Sequence, residues 1–130
     1  RSLAIPASTP ITAPVEADLD VFPGLVSHVW LQFPRGCSGL VPARILRSTV
    51  PIFPATPDSY VSSDGYTVDW DEEYDMTDQP LTLTLSAYNQ DDTYPHTVTL
   101  WLATRSAEEI RAGRETASML NRFLRLVGVK

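Results

Sequence analysis

The chain has 130 residues, 43% of them hydrophobic, which fits one domain burying roughly two-thirds of its unfolded surface and excludes wholesale disorder. No apolar run approaches the roughly 20 residues that span a bilayer, and the lone Cys37 excludes an internal disulfide and a cysteine-built zinc cluster. The net charge of −6 is divided unevenly: residues 1–104 carry four basic and thirteen acidic residues, and residues 105–130 six basic and three acidic, so the body lacks the basic patch that a phosphate backbone requires.

Residues 1–14 (RSLAIPASTPITAP) are small, polar and proline-rich and predict an extended arm, ordered only where it docks. They lack the apolar core of a signal peptide. Val15, Ala17, Leu19 and Val21 then alternate with Glu16, Asp18 and Asp20, the pattern of a half-buried strand with an acidic outer face. Pro23-Gly24 turns the chain into a strand over residues 25–33 with Val29, Leu31 and Phe33 inward. Pro34-Arg35-Gly36 ends it. A strand over 40–47 contains Pro42, which predicts an edge or a bulge. Short extended pieces follow at 50–53 and 66–70, bounded by prolines and by Ser62-Ser63-Asp64-Gly65. Leu81, Leu83, Leu85 and Ala87 alternate with threonine and serine, as Val98, Leu100 and Leu102 alternate with Thr97, Thr99 and Trp101. Asn89-Gln90-Asp91-Asp92 joins these two strands. Some seven strands with turn signals between them predict an all-β fold, an antiparallel β-sandwich or jelly roll.

The last segment changes character. Ser106-Ala107-Glu108-Glu109 matches the capping box that opens helices. Ile110, Gly113, Ala117, Leu120, Leu124 and Val127 recur at spacings of three and four, a heptad-like seam, and Gly128 is a natural stop. Met119, Phe123 and Leu126 lie off the seam, so the second half is apolar on more than one side. The predicted organisation is an arm (1–14), a sandwich (15–104) and an amphipathic helix (105–130).

Strand alternation puts Trp30 beside His28 and Gln32 on the polar side of one strand and Trp101 on the polar side of another, with Tyr88 extending a third. Large aromatics on a wet face need a cover or mark a contact. The candidate covers are the chain's own helix, a neighbouring subunit, or a sugar ring stacked on the aromatic faces. The candidate interface residues are therefore Trp30, Tyr88, Trp101, Ile110, Ala117, Leu120, Phe123, Leu124 and Val127. Arg111, Arg114, Arg122 and Arg125 offer the helix a charge match to the acidic body of an adjacent copy. Asp69, Asp71, Glu73 and Asp75 are placed to project from one side of a strand. They form a solvated rim or a face for a basic partner; a calcium loop of the EF-hand type fails for want of glycine at its sixth position. Cys37 with His28 or His96 as base lacks an orienting group and an oxyanion hole. It reads as a small packed residue in a turn, suited to a reducing cytoplasm.

Two runs resemble a group of short proteins encoded by tailed bacteriophages and related mobile elements. One is Pro23-Gly24 through Pro34-Arg35-Gly36-Cys37-Ser38-Gly39-Leu40; the other is Asn89-Gln90-Asp91-Asp92-Thr93-Tyr94-Pro95-His96-Thr97 with its flanking strand residues. The likeness covers residues 3–104 and leaves out the helix. It implies a β-sandwich virion or virion-associated protein and carries over no catalytic residues; no cofactor is expected. The expected role is therefore a structural protein, foremost a capsid decoration or cement protein, made in the host cytoplasm and carried in the virion. Its expected partners are copies of itself, as a homo-oligomer, and other virion proteins; neither nucleic acid nor membrane is expected. A connector, tail or fibre-base position and a carbohydrate-binding module are the alternatives.

Overall fold

Apolar residues at period two give each extended segment one side that must leave water. Eight such segments and one helix make up the computed structural model, which describes residues 1–126. They are β1 (Ser2–Ile5), β2 (Val15–Asp20), β3 (Gly24–Gln32), β4 (Ala43–Arg47), β5 (Val50–Phe53), β6 (Thr67–Met76), β7 (Thr82–Ala87), β8 (His96–Ser106) and α1 (Ala107–Leu126). The pairing is nested: β1 with β8, β2 with β7, β3 with β6 and β4 with β5, every pair antiparallel. Rolled up and joined by β3–β8 and β4–β7, this ribbon becomes two four-stranded sheets, β1-β8-β3-β6 and β2-β7-β4-β5. That strand order is the eight-stranded jelly roll.

The core lies between the sheets. Val26, Val29 and Leu31 of β3, Val98 and Leu100 of β8, Ile45 of β4 and Leu83 and Leu85 of β7 are fully buried, with Phe33 closing one end. The inward residues expected for β2, β3, β7 and β8 face this core, with Leu19 and Leu102 half-buried at its margin. A register shift between Val26 and His28 leaves Ser27 and His28 consecutively off the core face.

Three expectations are corrected. The supposed arm begins as edge strand β1, with Leu3 and Ile5 in the core and the Arg1 amino group donating to the Leu100 carbonyl at 2.8 Å. Pro42 stands before β4, which is an interior strand between β7 and β5 rather than an edge, while the expected irregularity is present as a register shift between Ile45 and Leu46. The extended pieces at 66–70 and 97–102 are parts of longer strands, because β6 runs through the acidic stretch and β8 continues to Ser106.

Ser106 belongs to two elements. It pairs with Gly24 in the sheet and caps α1, its N–H donating to Glu109 Oε2 (3.2 Å) while its Oγ accepts from the Glu109 N–H (3.1 Å). Strand thus passes into helix with no linker. Gly24 is required here, since a Cβ would sit 1.9 Å from the Arg105 carbonyl oxygen. Among the described residues no helix is long and apolar enough to cross a membrane.

Candidate interaction surface

The outer face of the first sheet gathers most of the unusual side chains. Trp30 and Trp101 stand directly opposite each other on β3 and β8. Trp101 is 49% exposed, so α1, which contacts β8 and β3, does not cover it. On the other side of β3, β6 alternates cleanly: Asp69, Asp71, Glu73 and Asp75 face water and Val68, Trp70, Glu72 and Tyr74 are partly buried. The order β8-β3-β6 sets Trp101, Trp30 and Asp69 in one row across the sheet, with the other carboxylates further along β6.

His28 links Trp30 to the acidic strand. Its ring lies beside that of Trp30, centroids 4.3 Å apart and planes tilted by 53°. Its Nδ1 donates to Asp71 Oδ1 at 2.6 Å and its Nε2 to Asp69 Oδ2 at 2.8 Å. Ionised carboxylates only accept hydrogen bonds, so this geometry suits the doubly protonated imidazolium. The hydrogen bond to Asp71, then that to Asp69, raises the pKa above 6.5. A raised folded-state pKa means that the stabilisation is fully present below about pH 6.5 and is lost as pH climbs through the folded value.

Tyr88 is not part of this surface. It follows β7 on the other sheet, edge-on to Tyr60 at 5.1 Å, and the Arg44 guanidinium lies over the Tyr60 ring. The three aromatics expected to form one sugar platform are therefore split between opposite faces.

Beside β8, Leu19, Val21, Phe22 and Trp101, with Arg1, line a concavity of ≈ 250 Å³. Phe22 is 84% exposed. It lies in the connection between β2 and β3, outside any alternating pattern that would mark it in the sequence.

On α1, Ile110 is half-buried, whereas Leu120 is 57% and Met119 69% exposed. The side chains of Ala117, Phe123 and Leu124, and all of Val127 and Gly128, lie outside the described residues.

The runs 34–40 and 89–97 serve the fold. Gly36 and Gly39 take positive φ, and the buried Cys37 thiol between them donates to the Ser63 carbonyl at 3.0 Å. Asn89, 1% exposed, donates through Nδ2 to the carbonyls of Ile5 (3.2 Å) and Tyr94 (3.0 Å), and its Oδ1 accepts from the Asp91 N–H. Asp91 accepts from His96 Nε2 at 2.8 Å and from the backbone N–H groups of Thr93 and Tyr94. These bonds, that from His96 first, hold its carboxyl below the usual 3.8. Cys37 and both imidazoles are thus engaged with other partners. No group of three or more metal-ligating side chains is placed to hold an ion among the described residues.

No family model matches the chain, and no curated protein matches it in sequence.

Proposed function

We propose that this chain is a non-enzymatic structural protein that works by protein–protein contact, as a capsid decoration or cement protein of a tailed-phage virion. The observation that carries the reading is α1, a twenty-residue amphipathic helix with Met119 and Leu120 open to solvent. Uncovered apolar surface of that kind marks a contact in the working state. The exposed Trp101 beside Phe22 adds a second apolar area on the body. The virion assignment draws on the resemblance of residues 23–40 and 87–100. The jelly roll agrees with it by analogy, since that architecture is common in shell proteins and also in lectins.

Co-sedimentation with tailed-phage particles assembled without the chain is the test. The expected result is stoichiometric pelleting, with α1 becoming resistant to protease on the particle. A chain that stays in the supernatant, and whose tryptophan fluorescence is instead quenched by a glycan and restored by Trp30→Ala, overturns the proposal in favour of a carbohydrate-binding module.

A further inference from the structure

We propose that the acidic–aromatic face formed by β8, β3 and β6 is the seat for α1 of a second copy of this chain. The inference rests on the contact-based function above and names the partner.

The two surfaces carry opposite charge beside apolar side chains. On the body, Trp101, Trp30 and Asp69 form one row across β8, β3 and β6, and Asp71, Glu73 and Asp75 continue along β6. His28, bonded to Asp69 and Asp71, and Arg105, opposite Leu25, offset part of that charge and leave the face net acidic. On the helix, 100° per residue places Arg111 and Arg122 about 20° apart, to one side of Ile110, Gly113 and Leu120. Apolar positions with a basic border therefore meet an aromatic pair with an acidic border.

The lengths are similar as well. Arg111 to Arg122 spans about 17 Å at 1.5 Å per residue. Asp69 to Asp75 spans about 20 Å at the rise of a strand.

Connectivity favours a second copy over the chain's own helix. Ser106 is at once the last sheet residue and the helix cap, so no linker is available to reverse α1 onto the face it leaves. The face is correspondingly open, with the Asp71 side chain 95% and Trp101 49% exposed. Each copy owns one helix and one seat, so reciprocal exchange closes a dimer and successive exchange closes a ring.

The experiment is sedimentation of the full-length protein at high micromolar concentration. Wild type is expected to be an oligomer that dissociates toward monomer in about 1 M salt, where the Debye length falls to about 3 Å. Arg111→Glu with Arg122→Glu, or Asp71→Lys with Glu73→Lys, is each expected to weaken association about tenfold or more while the near-UV spectrum stays native. Combining the two reversals is expected to restore it. A monomeric wild type, an oligomer indifferent to both reversals, association only with a different protein, or no recovery in the combined variant overturns the inference. A monomer that still pellets with virions removes the second-copy seat and leaves the contact function intact; failure of both assays removes both.

Discussion

The two ends of this chain look alike as appendages, yet the fold treats them oppositely. The first five residues are sewn into the body: Leu3 and Ile5 are buried, the amino terminus bonds to Leu100, and Asn89 grips the Ile5 carbonyl. The last twenty described residues make a helix that exposes Met119 and Leu120 and joins the body at its cap, Ser106. The difference lies in where each end finds a partner. β1 has an edge of its own chain to complete, whereas α1 prolongs the last strand and leaves Met119 and Leu120 exposed.

Ile5→Ala puts the largest strain on that comparison. It empties a fully buried site on β1 and is expected to cost about 2–4 kcal/mol of unfolding free energy, read from chemical denaturation. A loss under about 0.5 kcal/mol, the range of neutral surface changes, would make β1 the loose arm that its composition suggests. Ser106→Ala is next. It removes a capping oxygen and is expected to cost α1 about 1 kcal/mol, seen as faster amide exchange in residues 107–116 with the midpoint of the sandwich little moved. An equal fall in both would mean that helix and body form one cooperative unit. The smallest effect is one of pH. Because the Asp91 carboxyl is held below 3.8, its stabilisation is present above about that pH and fades as pH falls through the folded value. Amide protection of β1 should therefore decline in acid, and Asp91→Asn should flatten that part of the profile; an unchanged profile would detach the Asn89–Asp91–His96 group from the anchoring of β1.

Much of the sandwich was legible in sequence because alternation at period two fixes which side of a strand leaves water. Val29, Leu31, Phe33, Leu83, Leu85, Val98 and Leu100 needed nothing else. The outward position of Trp30 and Trp101 was legible for the same reason, and so was the cap at Ser106. What alternation lacks is the identity of the neighbouring strand. That is why the opposition of the two tryptophans, the clasp of His28 by Asp69 and Asp71, and the removal of Tyr88 to the far sheet emerged only with the pairing. β1 was hidden for a related reason. Four residues ending before Pro6 carry too short a pattern, and the strand that completes them lies at the other end of the body, Ser2 meeting Thr99 across 97 positions.

The nested pairing also sets an order in time. Contacts so distant in sequence place this chain among slow-folding topologies, of the order of milliseconds to seconds. The face built from β3, β6 and β8 has no existence before the final strand slots between β1 and β3. A nascent or truncated chain thus has no Trp30–Trp101 pair to present, however well its early strands have collapsed. Under the proposed docking, an unfinished copy has no seat to offer, and completion of the roll is the condition for assembly.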